Sequence, residues 1–157
     1  MIDTPHVAEA PEQITAVIRL TVPMADMSKV MGPAIQELLA AVAAQGRQCA
    51  GAVYDRVLRM DKGTFDLELG VPVAKPIAAA GRVKPGRLPA ATVARTTYHG
   101  PYEGLGGAWG EFDAWVRAQG HTPAPDLWEC YVAGPESGPD SSQWRTELNR
   151  PLLQRKS

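Results

Sequence analysis

Several residue classes that mark common kinds of protein are scarce in this chain of 157 residues. The two cysteines, Cys49 and Cys130, match neither a metal-binding spacing nor a disulfide framework. The net charge of −1 gives no basic surplus of the kind that nucleic-acid-binding domains carry. No apolar run reaches transmembrane length, and no signal peptide is recognisable. We therefore expect a cytoplasmic protein with no metal site, no cofactor, no direct DNA binding and no membrane association.

The composition is that of an ordinary globular protein, with 45% hydrophobic and 21% charged residues. The apolar residues recur at regular spacings along the chain. Apolar residues alternate through residues 13–24, which predicts a strand with one buried face. Residues 25–46 carry apolar residues at spacings of three and four, which predicts a helix. Two further alternating runs, 49–59 and 63–73, flank a short polar turn and predict a hairpin.

The second half repeats this order with a strand, a helix and two more strands (91–98, about 103–119, 126–134 and 143–153). An offset of 74 residues aligns the ends of the two helices and pairs Tyr54 with Trp128. The closing strands also correspond, because Leu67–Pro72 matches Thr146–Pro151 in the order of its motif. Agreement in both motif and element order indicates an internal duplication.

The duplication predicts an α+β fold made of two β-α-β-β repeats with pseudo-twofold symmetry, an antiparallel sheet and helices on one face. We expect a single domain over residues 13–153, with repeat one at about 13–75, a connector at about 76–90 and repeat two at about 91–153. Residues 1–12 show no apolar period and predict a flexible arm. Duplicated units leave a crevice where they meet, which is a common place for a ligand.

Glu129 is the most unusual polar residue, because it lies in the middle of an apolar and aromatic strand. Glutamate is a poor strand residue and is rarely buried without a partner. It either faces water or lies in a ligand pocket. Strand alternation places Tyr131 on the face of Glu129 and Trp128 on the other face. We therefore expect Tyr131 to share any pocket with Glu129, and Trp128 to pack in the core under a helix.

Four glycines at positions 104, 106, 107 and 110 fall at or near the start of the second predicted helix. They resemble a phosphate-binding loop only in composition, because no Lys-Ser/Thr pair follows them. We expect them to allow close approach of this helix to the sheet.

Three motifs together resemble a known family. They are Tyr98–Leu105 running into a Trp-containing helix, Trp128–Tyr131 followed by Gly-Pro, and Trp144–Leu148 followed by Pro151. They are similar to motifs of GyrI-like small-molecule-binding domains, also called effector-binding domains of bacterial transcription activators. The resemblance covers residues 12–153, and the second half carries the specific motifs.

The resemblance implies a concave aromatic pocket for hydrophobic, often cationic, small molecules. The pocket carboxylate that pairs with the ligand's charge corresponds to Glu129. We expect Trp109 to face inward from the second helix, Tyr98 to present its hydroxyl at the pocket rim, and Glu147 to be a second carboxylate. The full set of expected ligand-binding residues is Glu129, Tyr131, Tyr54, Trp109, Tyr98 and Glu147.

The leading interpretation is a stand-alone binding protein that sequesters or senses such ligands. Some relatives instead hydrolyse cyclopropane-bearing natural products with a glutamate and a tyrosine. In that case Glu129 would be the base, and Tyr98, Tyr54 or Tyr131 the acid or positioning group. One namesake inhibits DNA gyrase, so a protein-binding inhibitor is a further alternative.

Overall fold

The computed structural model describes residues 2–134 and 138–153. In chain order the elements are β1 (His6–Ala10), β2 (Gln13–Pro23), α1 (Met27–Ala44), β3 (Tyr54–Asp61), β4 (Thr64–Pro72), β5 (Val83–Leu88), β6 (Ala91–His99), α2 (Leu105–Ala118), β7 (Thr122–Pro123), β8 (Leu127–Ala133) and β9 (Arg145–Leu153). They form two compact units, one of residues 11–90 and one of the residues before Pro11 and after Ala90. Each unit has antiparallel strands and one long helix, which confirms the α+β class and the repeated strand-helix-strand-strand order.

The unit of residues 11–90, called the first unit below, has the strand order β3-β4-β2-β5. Its core lies between α1 and the sheet, where Leu38 and Val42 pack with the alternating apolar residues of β2 and β4. The β3–β4 hairpin turns at Lys62 and Gly63, whose φ angles are 50° and 76°. Two positive φ angles match the twist of a tight hairpin. The connector contains β5, which adds to the free edge of β2.

The second unit has the strand order β1-β6-β9-β8, with β7 also paired to β9. Three residues of α2, namely Ala108, Phe112 and Val116, are buried against the β6 and β9 side chains of the same core. Gly120 ends the helix with a φ of 79°, a left-handed conformation that glycine adopts at low cost. The face of this sheet that meets α2 is called the helix face below.

The expected flexible arm is in fact partly a strand. Residues 6–10 form β1 and pair with β6, with His6 opposite Arg95. Closer to the start of the chain, the Asp3 N–H donates to the Thr97 carbonyl at 3.0 Å, and the Thr96 hydroxyl donates to the Asp3 carbonyl at 2.8 Å. An edge strand is held through its backbone, and most of its side chains are exposed, so no apolar period reveals it.

The expected close approach of the glycines to the sheet is wrong for three of the four. A Cβ added at Gly106, Gly107 or Gly110 would meet no atom within 4 Å, because these positions face outward. Only Gly104 is tightly packed, since its Cβ would lie 2.0 Å from the Tyr98 hydroxyl oxygen. A glycine pattern alone does not show which side of a helix meets the sheet.

Candidate functional site

Glu129 lies on the helix face of the second unit. Its cross-strand partner is Leu148, which is fully buried in the core beneath α2. Directly opposite residues of an antiparallel pair project to the same side of the sheet. The indole Nε1 of Trp109, on α2, donates a hydrogen bond of 2.6 Å to Oε1 of Glu129. The glutamate is therefore a half-buried carboxylate held between strand and helix.

The contact between Trp109 and Glu129 combines an anion with an aromatic donor. The donor and acceptor atoms lie 2.6 Å apart, and hydrogen bonds to a carboxylate are stronger than those to a neutral acceptor. The Trp109 ring is itself supported by Phe112, with ring centroids 5.6 Å apart. Phe112 is fully buried, so the donor is anchored in the core of this unit.

Tyr131 lies two residues beyond Glu129 and faces the same side, as alternation predicts. Its ring contacts Tyr102 edge to face, with centroids 5.9 Å apart. Tyr102 in turn lies 5.1 Å from the ring of Trp144. We call Tyr102, Tyr131 and Trp144 the aromatic group. Tyr102 is 37% exposed, so the group reaches solvent.

Two members of this group, Tyr102 and Trp144, are absent from the residues that the sequence predicts for the site. Both lie inside family-like motifs, Tyr98–Leu105 and Trp144–Leu148. Membership in these motifs could therefore have identified both residues as site candidates. Both residues lie just outside regular strands, where alternation gives no direction for a side chain.

Tyr98 does not present a free hydroxyl. The residue is 5% exposed and packs in the core with Phe112. Its hydroxyl donates to the Pro101 carbonyl at 2.8 Å, because the Gly100–Pro101 turn folds back over the ring. This geometry does not favour Tyr98 as a rim residue or as an acid.

Glu147 lies on the face of the sheet opposite to Glu129. Its cross-strand partner is Cys130. Its Oε1 lies 3.4 Å from Nε of Arg95 and accepts a 3.1 Å hydrogen bond from the Asn149 amide. The structure therefore does not bring the two predicted carboxylates together. The reason is the register of β8 on β9, which no local pattern reveals.

Trp128 is buried at 2% exposure, which confirms its expected burial. Its partner across the sheet is Asn149, on the face away from α2. The expectation that it packs under a helix is wrong for α2, since alternation gives that face to Glu129.

Tyr54 belongs to the first unit, where it is almost fully buried. Its ring lies over Gly70, since a Cβ there would come within 2.5 Å of the ring carbon Cζ. The next residue, Asp55, precedes Glu129 by the same offset of 74 and is opposite Leu69, as Glu129 is opposite Leu148. Sequence reasoning missed this buried carboxylate, although the repeat offset could have found it.

Residues 3–152 match the family model described as the GyrI-like small molecule binding domain. The chain belongs to this family. No curated protein matches it significantly. Membership agrees with the family-like motifs in the second half of the chain.

The GyrI-like fold is also evident from solved structures. The C-terminal domain of EcmrR is 24% identical with a TM-score of 0.85, covering 97% of this chain and 98% of that one. EcmrR in a complex with DNA is 23% identical with a TM-score of 0.84, covering 97% of this chain, which spans 58% of the longer protein. SAV2435 bound to tetraphenylphosphonium is 12% identical with a TM-score of 0.71, covering 96% of this chain and 94% of that one.

Within the described residues of this GyrI-like domain, no three His, Cys, Asp or Glu side chains gather as metal ligands would. In the same part of the chain, no helix has both the length and the apolarity needed to cross a membrane. Pro135, which follows the Glu129 strand in the family-like motif, lies outside the described residues.

Proposed function

We propose that this GyrI-like domain binds hydrophobic cations beside Glu129 and holds them without chemical change. The observation that carries the proposal is the half-buried Glu129 carboxylate, bonded to Trp109 and followed on the same face by Tyr131 of the aromatic group. The cation bound by the structural neighbour SAV2435 supports this choice of ligand.

The chemistry of the site suits a cation that is large and poorly hydrated. A half-buried carboxylate is less screened by water than an exposed one, so it attracts a positive charge more strongly. Ring faces add about 0.5–2 kcal/mol each through cation–π attraction. A small, strongly hydrated cation would lose more on desolvation than the rings return, so a lipophilic cation is favoured.

Hydrolysis is the weaker candidate, because it needs a proton donor beside the Glu129 base. The Tyr98 hydroxyl already donates to the Pro101 carbonyl, and Tyr54 is buried in the first unit, so Tyr131 is the remaining candidate among the three tyrosines considered. Incubation with a cyclopropane-bearing alkylator, followed by product analysis, tests this alternative. Repeated turnover by each protein molecule would replace the binding proposal with an enzymatic one.

Calorimetric titration with tetraphenylphosphonium tests the proposed binding. We expect the Glu129→Gln variant to bind about tenfold more weakly or worse, because the amide keeps the shape but loses the charge. Triphenylphosphine oxide, which keeps three phenyl rings and is uncharged, should bind the original protein more weakly than tetraphenylphosphonium.

The matched control is Glu111→Gln, which removes a carboxylate from the exposed side of α2. We expect its affinity for the phosphonium to stay within about twofold, since exposed charges are well screened. Equal affinities for the Glu129→Gln variant and the original protein would refute the role of the charge.

A further inference from the structure

Three residues form a row across the helix face of the second unit. Tyr98 of β6, Thr146 of β9 and Tyr131 of β8 are direct cross-strand partners. Their side chains therefore project to one side and lie next to each other. The row ends at Tyr131, which contacts the exposed Tyr102. Thr146 is thus the middle of a row that leads into the aromatic group.

Thr146 is fully buried, and its hydroxyl has no hydrogen-bond partner within the described residues. Its neighbour Tyr98 cannot serve as the donor, because the Tyr98 hydroxyl donates to the Pro101 carbonyl. A buried hydroxyl without a partner costs free energy comparable to a lost hydrogen bond. The hydroxyl at this position therefore does not stabilise the fold through a hydrogen bond among the described residues.

The first unit shows that this position does not require a hydroxyl. The motif match pairs Thr146 with Leu67, whose cross-strand partners are Leu20 and Val57. That equivalent row is entirely apolar and lies in the core beneath α1. The same architecture therefore exists with Leu-Leu-Val where the second unit has Tyr-Thr-Tyr.

We propose that the Thr146 hydroxyl is a hydrogen-bonding contact for the ligand. It would make the site select hydrophobic cations that also carry a hydroxyl over cations surrounded only by hydrocarbon. The inference rests on the proposed function, because it places the ligand's charge at Glu129. Glu129 and Thr146 are diagonal neighbours, about 7–8 Å apart across the sheet. One small molecule can meet both.

A ligand reaches Thr146 only when a neighbouring side chain moves, since its hydroxyl has no exposed surface. Tyr102 is the most exposed ring of the aromatic group and is carried on a short 3-10 turn before α2. Because Tyr102 contacts Tyr131, we expect displacement of the Tyr102 ring to give a ligand access to the row from the end where Tyr131 lies.

A matched set of three probes tests the inference. Tetraphenylphosphonium offers no hydrogen-bonding group, whereas its 3- and 4-(hydroxymethyl)phenyl analogues stay cationic and add one hydroxyl at two distances from the charge. For the original protein we expect the better analogue to bind about three- to tenfold more tightly than tetraphenylphosphonium. The ratio of the two constants is the readout, because general loosening of the site changes both together.

Thr146→Val keeps the shape and removes the hydroxyl, so it should reduce the ratio to about one, while Thr146→Ser should retain it. The control is Thr15→Val in the first unit, which also removes a buried hydroxyl without a partner and should leave the ratio unchanged.

A ratio of one for the original protein, or an unchanged ratio in the Thr146→Val variant, overturns the role of Thr146 while the proposed function stands. Absence of binding by all three phosphonium probes overturns both. An affinity ratio that falls to about one in the Thr15→Val variant also overturns the inference, because the effect would then not be specific to the site.

Discussion

The indole N–H of Trp109 and the carboxylate of Glu129 lie 2.6 Å apart and join α2 to β8. The bond connects residues 20 positions apart in the chain. It gives the second unit a link between helix and sheet that does not depend on apolar packing.

The Trp109→Phe variant should unfold more easily, because it keeps an aromatic ring and removes the donor to Glu129. Hydrogen bonds to charged groups contribute about 1.5–3 kcal/mol, and partial exposure reduces this, so we expect a loss of about 1–2 kcal/mol. Urea denaturation measures the free energy of unfolding. Trp115→Phe, on the same helix, is the control for ring size, and an equal loss there would contradict the prediction.

The Glu147→Gln variant should bind tetraphenylphosphonium as the original protein does, within about twofold. Glu147 faces away from Glu129 and pairs with Arg95 and Asn149 instead. The nearby Arg95 guanidinium offsets the charge of Glu147, so removing that charge should affect a cation beside Glu129 only slightly. Calorimetric titration of both variants with tetraphenylphosphonium checks this. A larger loss of affinity for Glu147→Gln than for Glu129→Gln would indicate that the cation binds on the other face of the sheet.

Replacing each of two buried threonines on the helix face with valine should change the free energy of unfolding differently. The Thr96 hydroxyl donates to the Asp3 carbonyl, so Thr96→Val should cost about 1 kcal/mol. The Thr146 hydroxyl has no partner among the described residues, so Thr146→Val should be neutral or stabilising by up to about 1 kcal/mol. Parallel urea denaturation compares them. Equal losses would mean that Thr146 has a partner in solution.

Alanine at two glycines near the start of α2 should also have opposite effects. Gly107→Ala places its methyl group in open space inside the helix, so we expect a gain of about 0.5–1 kcal/mol. Gly104→Ala would push against the Tyr98 hydroxyl and ring, and should cost about 1–3 kcal/mol. Thermal unfolding of both variants tests the pair, and stabilisation by Gly104→Ala would show that Tyr98 is free to move.

Periodicity predicted much of the fold, because it reports which side of an element is buried. The alternation of β2 and the spacing of three and four in α2 both correspond to observed elements. Trp128 and Tyr131 were assigned to opposite faces of β8 for the same reason, and the pairing with β9 agrees. These are local properties, which a single sequence contains.

The register between strands was not predictable, and it decides the composition of the site. The sequence predicts Glu147 as a second carboxylate beside Glu129, yet their cross-strand partners place the two residues on opposite faces. Tyr102 and Trp144 were missed because they lie outside regular strands, where position depends on the surrounding fold. The strand β1 was missed because its contacts with β6 are made through the backbone.

The pairing of β1 with β6 has a consequence for how the chain is made. Residues near His6 leave the ribosome before their partners near Arg95, which follow about ninety residues later, so this pairing is a late, long-range contact. A fragment beginning at Ala91 would leave the outer edge of β6 with unpaired backbone groups open to self-association. The duplicated halves are therefore equivalent in architecture but not interchangeable as separate pieces.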